Sequence, residues 1–294
     1  MNIEIEPLLT HLHNQGRLRV WSLIITFFGD SILEKGGEVE ASRIKALMQA
    51  MNIEAGTLRT ALSRLTNDNW LERYKIGKNT IYRLSHKGLK EFGPASELIY
   101  SAPNPNVETK WRVVINPSSE NDSSGFLLHP GVSVLPITEK SPKNSLVFDG
   151  TINRLSDEVC YQLLPNGYVD EINQLIELFL QIEFKNLNAL QAMITRTLLI
   201  HNWRKIVLKF PEVPKELTPK KWKGYNVRLT IKTIYEELTP LAENWLNMSI
   251  EKSLIIFQLL KHQNVSETSR VDQLKCLRKQ MYRWLLRLIF LSYF

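Results

Sequence analysis

The chain has 294 residues, enough for two or three domains with a substantial core, and its 44% share of hydrophobic residues is ordinary for a globular protein. The formal net charge of +7 and the pI near 9.3 favour a polyanionic partner. Cys160 and Cys276 form no metal-ligand pattern and no secretory signal begins the chain, so we expect a reduced, cytoplasmic protein without a bound metal.

The first segment of the chain predicts two helices. Because His11 and His13 lack further ligands nearby, we expect residues 1–16 to form a mobile arm rather than a metal site. Residues 17–28 have apolar side chains along one side and predict a helix, with Gly29 as its carboxy-terminal cap. The buried side of the next helix is predicted to consist of Ile44, Leu47, Met48 and Met51. Residues 52–54 predict the turn that follows it.

Residues 55–67 predict a third helix with two different faces. Its apolar stripe comprises Leu58, Ala61, Leu62 and Leu65, at helical spacing. Its opposite face carries Gly56, Thr60, Ser63 and Asn67, flanked by Arg59 and Arg64. This face is short, cationic and free of carboxylates, so it could enter a DNA major groove, where arginines bond to guanine edges or phosphates. For an isolated helix, a solvated face would be the simpler interpretation.

The next segment favours the DNA-binding interpretation. Residues 70–76 and 80–84 are rich in β-branched and aromatic residues and predict a hairpin around Gly77, Lys78 and Asn79. Between residues 41 and 90 there are ten Lys or Arg against three acidic residues, a balance of +7 that equals the net charge of the whole chain. Helix, helix and basic hairpin predict a winged helix-turn-helix. The predicted DNA-binding residues are Thr57, Arg59, Thr60, Ser63, Arg64, Lys75, Lys78 and Asn79.

The pattern changes after a predicted linker at residues 101–106. Four short strand-like runs at residues 111–115, 126–128, 132–135 and 146–148, followed by a helix at 168–184, predict a small α+β domain. Residues 188–209, 230–246 and 249–262 predict helices. The fold class is therefore α+β. We expect a winged helix-turn-helix at residues 1–100, a central α+β domain at 107–186 and a mainly helical carboxy-terminal domain at 187–294.

Two stretches resemble a known family in the expected order. Residues 23–92 resemble the amino-terminal region of the PaaX-type transcriptional repressors of phenylacetate catabolism. The likeness rests on Gly29-Asp30, Gly36-Gly37, Arg59-Thr60-Ala61, Ser63-Arg64-Leu65, Trp70-Leu71-Glu72 and Tyr82-Arg83-Leu84. Residues 197–228, TLLIHNWRKIVLKFPEVPKELTPKKWKGYNVR, resemble that family's carboxy-terminal signature. The resemblance implies a homodimer on a palindromic double-stranded DNA operator, released by an aromatic acyl-CoA such as phenylacetyl-CoA.

The chain departs from that family in two places. The resemblance implies a ferredoxin-like central domain, but only the polar stretch NPSSENDSSG separates the first two predicted strands, so we expect its first helix to be shortened or missing. Phe210 stands where the family usually has an aspartate, which affects the identity of the effector. No acidic residue closes the first strand, which argues against a metal-dependent nuclease site.

The effector is expected to bind in the second matched stretch. His201, Arg204 and Lys205 lie within about one helical turn, and Trp222 follows in a proline-rich loop. Cationic groups could hold the phosphates of a coenzyme A ester beside an apolar pocket for its acyl end. The alternative is that Trp222 only anchors the loop and the lysines are solvated.

The sequence predicts no enzyme and no cofactor. It contains no phosphate-binding glycine loop, GxSxG elbow, CxxC pair or HExxH motif. The alternative function is a nucleic-acid-processing or RNA-binding protein that uses the basic wing, for which an aromatic stacking platform would be needed. The apolar end MYRWLLRLIFLSYF is shorter than the roughly 20 residues that span a bilayer. We therefore expect a core or dimer-contact helix there; attachment to a membrane surface is the lesser alternative.

Overall fold

A computed structural model describes residues 3–16, 18–101, 110–116 and 125–260. These residues form an α+β protein, as the sequence predicts, and fall into two compact units. The first unit takes its described residues from Met1–Ala102, Leu178–Arg204 and Ile231–Phe294, and the second from Pro103–Glu177 and Lys205–Thr230. The two units divide the chain differently from the three segments expected from the sequence, because the helices Ala189–Lys209 and Val227–Leu260 each contribute residues to both units.

The first unit begins with two helices, α1 (Glu6–Asn14) and α2 (Val20–Phe27). The expectation of a mobile arm is therefore wrong: α1 is helical, and Leu8, Leu9 and Leu12 on one of its sides are buried. Gly29 is not a cap either, because helical turns continue through Phe28–Ile32 and Leu33–Lys35. These helical turns end at Gly36, whose φ of 97° is in the left-handed region. Gly29 has another role: a Cβ there would lie 1.8 Å from Cε1 of Phe92.

The next elements of the first unit are two helices and a three-stranded sheet. They are β1 (Glu38–Glu40), α3 (Ala41–Ala50), α4 (Ala55–Asn67), β2 (Leu71–Ile76) and β3 (Asn79–Leu84). The strand order is β1-β3-β2 and both pairings are antiparallel. The sequence analysis missed β1, whose three residues alternate with only Val39 buried.

Helix α5 (His86–Ile99) follows the sheet, and the Ser85 hydroxyl caps it by accepting from the Gly88 amide at 3.0 Å. The helix runs through residues 93–94, where proline would ordinarily break it. Contacts at its far end favour its continuation: Trp203 Nε1 donates to the Ile99 carbonyl at 3.0 Å. Tertiary packing has here overridden local propensity.

The second unit contains a four-stranded antiparallel sheet. Its strands are β4 (Trp111–Ile115), β5 (Phe126–His129), β6 (Val132–Pro136) and β7 (Leu146–Gly150), in the order β5-β6-β4-β7. All four begin at the predicted residues. Helix α6 (Asp157–Leu163) follows, and the core combines Trp111, Phe126, Val134, Leu163 and Leu217. The polar loop between β4 and β5, where a helix was expected to be shortened or missing, lies outside the described residues at 117–124, as does most of the expected linker.

Three longer helices complete the described chain: α7 (Tyr168–Leu180), α8 (Ala189–Lys209) and α9 (Val227–Leu260). The prediction of two helices at 230–246 and 249–262 is wrong, because α9 continues through Pro240 to Leu260. No glycine or proline lies between residues 246 and 249 to end it. The apolar end of the chain and Cys276 lie outside the described residues.

Candidate nucleic-acid interface

The apolar stripe of α4 lies in the core of the first unit. Its buried residues are Leu58, Ala61, Leu62 and Leu65, the four that the sequence predicts. Leu65 is only 2% exposed. Because these four side chains fix how α4 is rotated about its axis, the residues on the other side of the helix must face outward.

Two asparagines define the turns on either side of α4. Asn52 and Asn69 both have a φ of 58°, the left-handed conformation that asparagine tolerates better than most residues. At the first turn, the Ile53 amide donates to the Met48 carbonyl at 3.0 Å; at the second, the Trp70 amide donates to the Leu65 carbonyl at 2.8 Å. Both are the six-residue hydrogen bond of a Schellman motif. One Schellman motif thus ends α3 before α4 begins, and a second ends α4 before β2 begins.

The outer face of α4 is exposed and carries the predicted residues together. Thr57, Arg59, Thr60, Ser63 and Arg64 are all exposed. Thr60 donates its hydroxyl to the Gly56 carbonyl at 3.1 Å, and Arg64 Nε lies 3.5 Å from a carboxylate oxygen of Asp68. That ion pair is exposed on both sides, so water screens it and the guanidinium can leave it at little cost.

The β2–β3 hairpin presents the other predicted residues. Ile76 pairs with Asn79, so the loop consists of Gly77 and Lys78, one residue shorter than predicted, with Gly77 at a φ of 58°. Lys75, Lys78 and Asn79 are exposed at this tip. The Asn79 amide donates to a carboxylate oxygen of Glu40 at 3.0 Å. The two lysines have no carboxylate partner among the described residues.

Arg83 lies in the same hairpin, but its side chain is held by contacts within the protein. It donates to Glu72, lies 3.7 Å from Glu38, and places its guanidinium 5.4 Å from the centre of the Tyr74 ring. Burial, with help from Glu38, raises the pKa of the Tyr74 hydroxyl. Tyr82 is 8% exposed. Tyr82 is therefore too buried for a base to stack on its ring, and Arg83 covers one face of the Tyr74 ring.

A buried charge network joins three helical segments of the first unit. Arg196 of α8 is 1% exposed and donates to Asp30 Oδ2 at 3.0 Å, to the Ser31 hydroxyl at 2.8 Å and to Glu243 Oε1 at 3.0 Å. Burial opposes its charge most strongly, but Asp30 and Glu243 outweigh this and raise the pKa of Arg196. Tyr100 donates its hydroxyl to Asp30 Oδ1 at 2.8 Å. The network connects α8 and α9 to the helical turns Phe28–Ile32, which follow α2.

Helix α9 also contacts α3, the helix that precedes α4. Arg43 of α3 lies over the Trp245 ring at 4.5 Å from its centre, and burial lowers the pKa of Arg43. Lys35, just before β1, forms an ion pair with Glu243 and donates to the Asn247 side chain at 3.0 Å. Side chains of α9 thus contact the first turn of α3 and the residue Lys35 before β1.

Comparison with known proteins places the chain in a family. Residues 19–88 match the family described as PaaX-like protein, and residues 163–248 match the PaaX-like protein C-terminal domain; together the two matches cover more than half of the chain. The chain is also 26% identical over 276 residues to the transcriptional repressor PaaX of Escherichia coli (strain K12), covering 81% of this chain and 86% of the relative.

The chain belongs to the PaaX-like protein family. Among solved structures it is similar to the uncharacterized protein Rv0674 from Mycobacterium tuberculosis, with 16% identity, a TM-score of 0.48, and coverage of 76% of this chain and 95% of that one.

The residues expected to bind an effector in this PaaX-like chain are divided between the two units. His201 and Arg204 belong to the first unit and meet at Thr26, whose Oγ1 lies 3.2 Å from His201 Nδ1 and 3.0 Å from Arg204 Nη1. Lys205 and Trp222 belong to the second unit, where Lys205 is exposed.

Trp222 has the surroundings of a structural residue. It is 7% exposed, its Nε1 donates to Asn173 Oδ1 at 2.8 Å, and its ring contacts that of Tyr168 edge to face at 6.0 Å between centres. A Cβ added at Gly224 would lie 2.4 Å from its ring, which explains the glycine. Trp222 anchors the proline-rich loop, as the alternative interpretation predicts; whether it also touches an effector stays a prediction.

The buried network is not among the sites predicted from the sequence. Asp30 appears there only in the Gly29-Asp30 likeness, and Arg196 and Glu243 do not appear. A signal was available: Arg196 sits inside the otherwise uncharged run from Ala189 to Ile200. An arginine in such a run must be paired if the helix is buried.

Within the described residues, no group of three or more His, Cys, Asp or Glu could hold a metal ion. In that same part of the chain, every helix is too short or too polar to cross a bilayer.

Proposed function

We propose that the protein is a sequence-specific DNA-binding transcriptional repressor whose residues 1–100 act as a winged helix-turn-helix. The observation that carries this proposal is the exposed face of α4. Two arginines flank short hydroxyl side chains there, and the lysines of the β2–β3 tip extend the cationic surface. Helix α4 would read base edges in the major groove, while the hairpin would contact the phosphate backbone. The name of the Escherichia coli relative supports the same function.

The active species in this proposal is a homodimer on a palindromic operator. One reading helix covers only a few base pairs, and a protein with two-fold symmetry matches a two-fold site. The dimer contact would lie after Ser101, in the central segment 107–186 or the helical segment 187–294. The central segment would be ferredoxin-like; its strand order β5-β6-β4-β7 supports this, because the first strand is central beside the third and fourth.

The proposed effector is an aromatic acyl-CoA, for example phenylacetyl-CoA, which would release the operator. The resemblance implies such an effector, and the proposed contacts lie within residues 163–248, which match the family's carboxy-terminal domain. His201, Arg204, Lys205 and Trp222 remain the proposed contacts. Release requires only that the effector and the DNA favour different conformations of the same protein.

The test is a DNA titration of the full chain, using duplexes selected from a random library. Specific binding at physiological salt, lost upon addition of phenylacetyl-CoA but not of free phenylacetate, would support both parts of the proposal. A matched control is the variant in which Arg59 and Arg64 are both alanine, which should fold normally and select no sequence. Binding that is indifferent to duplex sequence would remove the specific-repressor part, and preference for single-stranded RNA would favour the alternative function.

A further inference from the structure

Two arginines of α8, Arg196 and Arg204, lie on the same side of the helix but have different partners. Arg196 and Arg204 are eight residues apart, so they lie about two turns from each other. Both face the helical segment 20–32, which consists of α2 and the turns that follow it. Each donates to hydroxyl groups of that segment, Arg196 to Ser31 and Arg204 to Thr26 and Ser22. Arg196 also has the carboxylates of Asp30 and Glu243. Among the described residues, Arg204 has no carboxylate within ion-pair distance.

The environment of Arg204 favours an anion that the chain itself does not supply. The side chain is half-buried, and burial lowers the pKa of its guanidinium. A cation removed from water without a counter-ion is costly, and a bound anion would offset that cost. Arg204 as a whole residue is only partly buried, so part of it meets solvent.

The hydrogen-bond donors around Arg204 are suited to an oxyanion. Nη1 donates to Thr26 Oγ1 at 3.0 Å and Nη2 to Ser22 Oγ at 3.4 Å, which leaves three of the five N–H donors of the guanidinium. Thr26 uses its own proton on the Ser22 carbonyl at 2.9 Å, so it holds the arginine in place. In the part of the chain that the structure describes, the Ser22 hydroxyl accepts from Arg204 and donates to no acceptor, so its proton is available to a ligand.

We propose that Arg204 and Ser22, with Thr26 as a positioning residue, form a binding site for a phosphate group. Arginine with a hydroxyl donor suits a tetrahedral phosphate, which has an oxygen for each donor. If the proposed acyl-CoA effector is correct, this phosphate belongs to its coenzyme A moiety; the site deepens that proposal and rests on it for the identity of the ligand. Ser22 and Thr26 are residues that the sequence does not suggest for this role.

The experiment measures binding of coenzyme A, inorganic phosphate and phenylacetate to the full chain by calorimetry. Coenzyme A should bind the wild-type protein, inorganic phosphate should compete with it, and phenylacetate should not. Arg204→Met should weaken coenzyme A binding by about tenfold to a hundredfold, the size expected for hydrogen bonds to a charged group. Ser22→Ala should weaken it by about fivefold to tenfold. Arg204→Lys should retain part of the affinity, because lysine keeps the positive charge but lacks the planar set of N–H donors of the guanidinium.

Control variants separate the site from a merely structural role. Arg112→Met removes an arginine whose guanidinium already has a carboxylate, Asp149 at 2.7 Å, so coenzyme A affinity should not change. Urea unfolding and operator affinity should remain near wild type in Ser22→Ala, which loses one hydroxyl without changing the charge. Should Arg204→Met fail to fold, Ser22→Ala and Arg204→Lys still test the site.

The outcomes also distinguish this site from the repressor function. If no phosphate-bearing probe binds the wild-type protein, or if Arg204→Met and Ser22→Ala bind coenzyme A as tightly as wild type does, the site is overturned. Equal release of operator by phenylacetyl-CoA from wild type and Arg204→Met would keep the effector response and overturn the site. Coenzyme A binding that depends on Arg204, without any release of DNA, would support the site and contradict the proposed effector response.

Discussion

Helices α4 and α8 carry the same kinds of polar side chain, arginines and hydroxyls, in opposite environments. On α4, Arg59 and Arg64 are exposed, and the one ion pair there is exposed on both sides. On α8, every residue from Gln191 to His201 is buried, and Arg196 donates to two carboxylates and a hydroxyl. The contrast teaches that charge alone does not identify a functional face. A buried arginine that is fully paired is committed to contacts within the fold, whereas an exposed one that is weakly paired is available to a partner.

The largest expected effect follows from breaking the buried pair. Asp30→Ala removes a carboxylate that is 0% exposed and leaves the Arg196 guanidinium, 1% exposed, with less compensation. We expect a loss of about 3–5 kcal/mol in the free energy of unfolding, measured by urea denaturation. The double variant Asp30→Ala with Arg196→Met should lose less than the sum of the two single changes, because it leaves no buried cation behind. Additive losses would show that the two side chains do not depend on each other.

The next effect concerns close packing beneath α5. Gly29→Ala places a Cβ 1.8 Å from Cε1 of Phe92, so the ring or the helical segment must move. The expected cost is about 1–3 kcal/mol of unfolding free energy, the usual size for overpacking. Phe92→Leu should relieve the clash and reduce the cost of Gly29→Ala. Gly56→Ala is the matched control on α4: no atom lies within 4 Å of the added Cβ, so it should not destabilise the protein.

The regular elements around α4 could be predicted because their determinants are local. The stripe from Leu58 to Leu65 has helical spacing, and the strands β2 and β3 have β-branched and aromatic residues around a glycine turn. All four strands of the second sheet also begin where their apolar runs begin. The exposed face of α4 was predictable for the same reason, since burying one side of a helix determines the other.

The tertiary contacts could not be predicted because they join distant residues. Asp30, Arg196 and Glu243 are separated by 166 and 47 positions, and no local pattern links them. The helical turns that follow α2 could not be predicted, because Gly29 stands where a cap is expected, although its small size accommodates the Phe92 ring. Likewise, His201 and Arg204 share a helix turn with Lys205, but their actual partner, Thr26, lies on another helix.

The third effect tests the exposed side of the comparison. Arg64→Ala should lower the free energy of binding to a specific duplex by about 1–3 kcal/mol if its side chain reads a base, with no change in unfolding free energy. Asp68→Asn, which removes its carboxylate neighbour, should leave specific binding unchanged or slightly tighter. Fluorescence anisotropy with the selected duplex and with a scrambled one provides the measurement. Equal losses on both duplexes would reassign Arg64 from base reading to phosphate contact.

The smallest effect separates the two kinds of cation within the hairpin. Lys78 is exposed at the turn, whereas Arg83 is held by Glu72 and Glu38. If Lys78 neutralises one phosphate, Lys78→Ala should weaken binding to all duplexes alike and reduce the slope of log affinity against log salt concentration by about 0.9. Arg83→Ala, the matched control, should leave that slope unchanged and instead lower the unfolding free energy, since Glu72 and Glu38 lose their partner. A slope that changes with Arg83 but not with Lys78 would mean that the strand, and not the turn, lies against the DNA backbone.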